Sequence, residues 1–277
     1  MVVAVFVLAG APSAVAQPKT ELHPCVPADL RESAITFKAD DDVELPGLVF
    51  GSGSTGVLLA HTQTEFLCDW LPLARALADD GYQVLLYEMR SLTLRENRHS
   101  YDRDVLGAAR ELENRGASAI VAGGAGTGAT AIASAGQQIG ALKGMFLLTP
   151  FEAFRTSSAD LDALTGIKAV QVPALVVAAE DHVVGDLRLA DHAREIAGAA
   201  SNAKLEIVPG TAGFGKLTED AALRDEIRAF VRETAPPGSA AWSFTRWLLG
   251  GGTLLVVLAV VVVVLRRRNT TTDQTVS

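Results

Sequence analysis

The feature that most narrows the folds open to this chain is a series of short runs that are apolar at nearly every position. Residues 56–60, 84–87, 119–122, 145–148, 174–178 and 205–208 are such runs. Strands apolar on both faces belong in a sheet that is covered on both sides. The segments between them carry helical spacing instead. Leu67, Leu71, Ala74 and Leu77 fall on one face, with Gly81 as the stop, and Val105, Ala108, Ala109 and Leu112 do the same before Gly116. Leu187, Ala190, Ala193 and Ile196 repeat the pattern, as do Ala221, Leu223, Ile227, Phe230 and Val231. Strands alternating with helices predict a doubly wound, mostly parallel α/β sheet with right-handed crossovers. Ahead of it, residues 34–38 and 45–50 flank Asp40-Asp41-Asp42 and read as an opening hairpin.

Both ends of the 277-residue sequence stand apart from this pattern. Residues 1–16 are an apolar run closing on Ala14-Val15-Ala16, the small-x-small pattern of a leader peptidase site, which makes Gln17 the expected mature start. Residues 247–265 contain no charge and are long enough, as a helix, to cross a hydrocarbon core of about 30 Å. A lone segment in lipid must satisfy its own backbone hydrogen bonds, so valine-rich composition does not prevent helix there. Arg266-Arg267-Arg268 follow directly and favour the cytoplasmic side, leaving 266–277 as a tail. The expected order is signal peptide, extracytoplasmic domain (17–240), transmembrane helix and cytoplasmic tail, in a single-pass protein of the cell membrane.

Net charge is −8 over the whole chain, and the basic tail makes the exported part more acidic still. No basic stripe is available to hold nucleic acid, so that class of partner is set aside. Cys25 and Cys68 are the two cysteines, and an oxidising compartment points to one disulfide between them, two buried thiols being the alternative. No histidines and carboxylates stand at metal-ligand spacing, so no metal is expected. No cofactor is expected either.

Four segments, in order, resemble the α/β-hydrolase superfamily and together span nearly the whole exported part. Gly56-Val57-Leu58-Leu59-Ala60-His61 is similar to the family's third strand and oxyanion loop, and Ala78-Asp79-Asp80-Gly81-Tyr82-Gln83-Val84-Leu85 to the segment that follows. Ala119-Ile120-Val121-Ala122-Gly123-Gly124-Ala125-Gly126-Thr127-Gly128-Ala129 stands where the family places its nucleophile elbow, G-x-S-x-G. Residues 173–184 resemble the strand and loop that carry the acid, and residues 205–213 those that present the histidine. The resemblance puts Gly126 at the nucleophile position, Asp181 at the acid and Gly213 at the histidine. It makes His61 and Thr62 oxyanion-loop residues, with threonine where glycine is usual, and gives the backbone N–H of Thr127 to the oxyanion hole. Glu88-Met89-Arg90-Ser91 stands where the family often shows Asp-x-Arg-Gly.

Serine attack needs a hydroxyl, an imidazole to take its proton and a carboxylate to orient that imidazole. Glycine at two of the three positions removes the nucleophile and the base. The resemblance therefore implies a catalytically degenerate domain that binds an unknown small ligand or an envelope protein, with Asp181 a vestige. Two alternatives compete. One is a working hydrolase or esterase with a displaced nucleophile, for which Thr127 and His61 are the nearest candidates. The other is a dinucleotide-binding domain, because Gly124-x-Gly126-x-x-Ala129 follows a strand and Glu152 lies near the distance of a ribose-binding acid. His182 and His192 read as solvated.

Overall fold

The computed structural model describes residues 22–90, 100–155 and 160–238. Among these, no helix is long and apolar enough to cross a membrane. The expected leader (1–16), anchor (247–265) and tail (266–277) lie outside the described residues, as does Ser91.

The chain opens with β1 (Ala34–Lys38), β2 (Glu44–Phe50) and β3 (Thr55–Ala60), then α1 (Leu71–Asp79), β4 (Gln83–Tyr87) and α2 (Tyr101–Asn114). β5 (Ala119–Ala125), α3 (Thr127–Ala135) and β6 (Leu142–Leu148) form its centre, followed by a small hairpin, β7 (Ala153–Arg155) and β8 (Asp160–Asp162), and by α4 (Ala163–Ala169). β9 (Ala174–Ala179), a second small hairpin of β10 (Val183–Val184) and β11 (Leu187–Arg188), α5 (Leu189–Ala199), β12 (Ala203–Val208) and α6 (Ala221–Thr234) complete it. Eight strands make one sheet in the order β1-β2-β4-β3-β5-β6-β9-β12. β1 and β2 join antiparallel, and every pairing from β4 to β12 is parallel.

The doubly apolar strands inside the sheet behave as it requires. β12, which carries the run 205–208, lies at the sheet edge and leaves Leu205 exposed, because one side has no neighbouring strand. Along β3, Val57 and Leu59 enter the core on the face covered by α1 and α6, while Leu58 enters the core on the opposite face with residues of α2, α3 and α5. Successive side chains of a strand point to opposite faces, so each must find its own cover. All four neighbours 57–60 are fully buried, and burying a Val or Leu side chain contributes about 1.5–3 kcal/mol.

Two helical expectations shift at their starts. Leu67 lies in a 3-10 turn (Leu67–Trp70), and the α-helix begins only at Leu71, with Pro72 in its first turn. Proline lacks the N–H that a helix interior needs but suits a first turn, so it sets the boundary. Leu187 is not on the α5 face at all; it is exposed in β11.

Two tethers close the domain. Cys25 and Cys68 form a disulfide that fastens the N-terminal segment to the turn before α1. After α6 the chain returns to the amino end of β3, where Thr55 Oγ1 donates to the carbonyl of Pro236 at 2.8 Å and Ser54 N–H to that of Gly238 at 3.2 Å. This is the edge opposite the one where the parallel strands end.

Candidate active-site cleft

β5, buried from Ile120 to Ala125, turns into α3 through a single residue, Gly126, with φ +50° and ψ −118°. Its N–H donates to the carbonyl of Leu148 at 2.9 Å, while its carbonyl accepts the N–H and the hydroxyl of Thr130, both at 3.0 Å. Strand, one left-handed residue and helix make the sharp turn of a nucleophile elbow. Glycine has no Cβ to clash in this conformation. A Cβ built there would also lie 2.6 Å from Thr62 Oγ1 and 2.7 Å from the Phe214 ring. The space in front of the elbow is filled.

Thr62, buried in the loop after β3, fills it from one side. Its Oγ1 accepts the backbone N–H of Thr127 at 3.3 Å and stands 3.5 Å from the Thr127 hydroxyl. The N–H that would face an oxyanion is thus occupied by a side chain of the domain itself. Thr127 is fully buried, and among the described residues the hydroxyls of Thr62 and Thr127 bond to each other and to no imidazole.

Phe214 fills the space from the other side. It follows Gly213 in the loop after β12 and sits at φ +54°, while Thr149, at the end of β6, sits at φ +43°. Thr149 N–H donates to Val177 at 2.7 Å, and its hydroxyl accepts the N–H of Phe214 at 2.9 Å. Left-handed backbone in a non-glycine residue costs on the order of 1–3 kcal/mol and persists only where the surroundings impose it. Here one strained residue holds the other, and the result is an aromatic ring turned onto the elbow.

The acid loop contributes a different residue from the expected one. Asp181 is exposed, and its backbone N–H donates to Gly210 at 3.0 Å; among the described residues its carboxylate has no bonded partner. His182 is instead drawn inwards. A Cβ on Gly213 would lie 1.9 Å from both Cε1 and Nδ1 of His182, so the imidazole occupies the volume that a side chain at 213 would need. The ring meets Phe214 edge to face, 4.9 Å between centroids. Its Nδ1 is buried with no hydrogen-bond partner among the described residues, and burial holds the imidazole below its ordinary pKa. His182 is therefore half-buried, not solvated. Gly126, Phe214 and His182 form a continuous row, which brings the loops after β5, β9 and β12 together at the carboxyl edge of the sheet.

His61 is buried in the wall behind this row. Nδ1 donates to the Thr62 carbonyl at 2.6 Å, Nε2 accepts the N–H of Met89 at 3.1 Å, and the Glu88 carboxylate stands 3.3 Å from Nε2. Both ring nitrogens are engaged in holding the loops after β3 and β4 together. Next to it, Arg90 is buried and doubly paired, to Asp104 at 2.5–2.7 Å and to Asp41 at 2.8 Å. Burial pushes the Asp104 carboxyl up to about 6, against the pull of Arg90.

Beyond Phe214 the row opens into a cleft of about 440 Å³ whose walls include Thr64, Glu65, His182 and Lys216. Glu65 Oε2 accepts the N–H of Gly215 at 2.9 Å, and burial raises its carboxyl above the usual range. Among the described residues no group of three metal-ligating side chains is present. The glycine run is no phosphate cradle either. A pyrophosphate at the α3 N-terminus would meet Thr62 and Phe214, and Glu152, the ribose-binding candidate, has its carboxylate 3.3 Å from His192 Nδ1, which also accepts its N–H at 3.2 Å. Phe214, Thr149, Glu65 and the inward His182 are the residues that sequence reasoning did not select; a bulky residue directly after the vacant 213 position was the available signal.

Sheet order, elbow and converging loops define an α/β-hydrolase fold, and solved structures place the chain there. Its fold is similar to that of an esterase domain from a Rhodothermus marinus protein (TM-score 0.57, 16% identity, 72% of this chain and 97% of that one). It is likewise similar to a thermophilic esterase from Thermogutta terrifontis (0.60, 12%, 73% and 98%) and to a bromoperoxidase from Bacillus anthracis (0.56, 12%, 72% and 99%). No protein-family model matches the sequence, and no curated protein matches it.

Proposed function

We propose that this chain is a non-catalytic α/β-hydrolase-fold protein, anchored in the cell membrane by residues 247–265, whose domain outside binds a ligand or an envelope partner through its cleft. The carrying observation is the filled elbow: glycine at 126, with Thr62 Oγ1 and the Phe214 ring within 2.7 Å of where a nucleophile's Cβ would stand. A hydrolase without its reacting side chains retains about 10³–10⁴ over water from oxyanion hole and binding. Here even the Thr127 N–H is taken up by Thr62.

A second reading, a working esterase with a displaced nucleophile, is favoured by the names of the similar structures and by the imidazole of His182 beside Gly213. Treatment of the purified chain with a fluorophosphonate probe and activated esters separates the two. No covalent adduct and no turnover above buffer is the expected result; an adduct mapped to one residue establishes the esterase. Reporter fusions at either end of the chain test the membrane topology.

A further inference from the structure

The cleft beyond Phe214 carries two opposite charges, Glu65 and Lys216, which feel each other across it but make no direct ion pair among the described residues. Glu65 is half-buried, bonded by one oxygen to the Gly215 N–H, and forms no ion pair among the described residues. Lys216 is exposed on the same cleft and likewise forms none there. Some charges elsewhere on this surface are paired directly: Arg194 holds Glu180 and Asp191, and Arg228 holds Asp80 and Asp225. A partly buried carboxylate with no cation in direct contact is costly; Asp69 adds like charge, which His61 and Lys216 offset only from a distance. The third polar wall is the imidazole of His182. Its Nδ1 is buried against Gly213, which leaves Nε2 as the nitrogen for the cleft. Thr64 and Thr211 add hydroxyls that donate or accept.

Resting on the reading of this cleft as a binding site, we infer that its ligand is a small zwitterion of the amino-acid type. The ammonium stands against Glu65, and the carboxylate against Lys216 and the His182 Nε2–H. An anion alone would satisfy Lys216 and meet repulsion from Glu65; a cation alone would do the reverse; a neutral polyol would give neither charge a charged partner in contact. A dipolar ligand gives each charge a charge-assisted hydrogen bond. The volume of about 440 Å³ suits a small molecule, such sites running from about 300 to 1,000 Å³.

The test is calorimetric titration of the full chain with the standard free amino acids. Alanine, N-acetylalanine, alaninamide, acetate, methylammonium and glucose serve as the matched set. The expected result is binding of at least one free amino acid, weakened about tenfold or more when its amine is acetylated or its carboxylate amidated. Lys216→Met, on an exposed side chain that leaves the melting temperature unchanged, and Glu65→Gln, which keeps an acceptor for Gly215, should each weaken it as much. Equal binding of acetate or N-acetylalanine, binding of glucose, or no heat from any free amino acid overturns the proposal. Those outcomes leave the non-catalytic reading standing, whereas a fluorophosphonate adduct removes that reading whatever the titration gives.

Discussion

Two clusters stand at the carboxyl edge of the same sheet, and they have been treated in opposite ways. After β4, Arg90 is buried between Asp104 and Asp41 and gives these two carboxylates five hydrogen bonds of 2.5–3.2 Å, counting the one from its own N–H. After β5 and β12, the elbow cluster contains no charge pair among the described residues; a glycine, a threonine hydroxyl and a phenylalanine ring fill it. The first ties the end of β4 to the first turn of α2, where a carboxylate also suits the helix dipole. The second lies where a hydrolase would react. The first cluster holds its loops with paired charges, whereas the second is filled by uncharged groups around two glycines, Gly126 and Gly213, with the His182 imidazole at its end.

The largest expected effect comes from the charged cluster. Asp104→Ala removes the fully buried carboxylate from the Arg90 guanidinium, which is 1% exposed, and leaves the partly exposed Asp41 facing it. Breaking one side of a buried pair costs about 3–5 kcal/mol, to be read from urea unfolding. A cost below ~1 kcal/mol would erase the contrast between the clusters. Arg90→Met with Asp104→Leu should recover much of the loss, because no charge is left buried.

Next is the elbow. Gly126→Ser should cost about 2–4 kcal/mol, from the positive φ and from overpacking against Thr62 and Phe214, and should restore no ester hydrolysis. Adding Phe214→Ala removes the ring from the serine's path. The double variant should therefore be more stable than the sum of the single changes by about 1 kcal/mol or more. Strict additivity would mean that Phe214 does not fill the nucleophile space.

The two clusters also differed in how far they could be read from sequence. The strands were plain because residues such as Val57 and Leu58 must both be apolar when both faces are covered. The elbow was plain because Gly126 lies between a strand and a helix within a short glycine run. The filling of the site was not. Phe214 reaches Gly126 only because its own φ is +54° and Thr149, far away in sequence, accepts its N–H. The inward turn of His182 depends on the side chain missing at 213, a vacancy that no local pattern around Asp181-His182 reports. The pairing of Arg90 was equally hidden, since Asp41 and Asp104 come from a turn and a helix on either side of it in sequence.

The smallest effect sharpens the comparison, because His182 is the one titrating group in the elbow row. Burial lowers its pKa below the ordinary 6.5, so the native chain prefers the neutral ring. As pH falls from neutral through 6.5, the unfolded chain takes up the proton first. Stability carried by this residue is therefore present above that value and is lost progressively below it. Glu65, on the same cleft, has the opposite sign: burial raises its pKa, so its cost is full at neutral pH and is relieved as pH falls towards 4.5. The raw stability curve mixes the two, and the informative quantity is wild type minus His182→Asn. That difference should shrink as pH drops through 6.5 and stay level above it, in urea unfolding repeated across the pH range. A difference that stays constant would place the imidazole in water, and the space beside Gly213 would then be empty instead of filled.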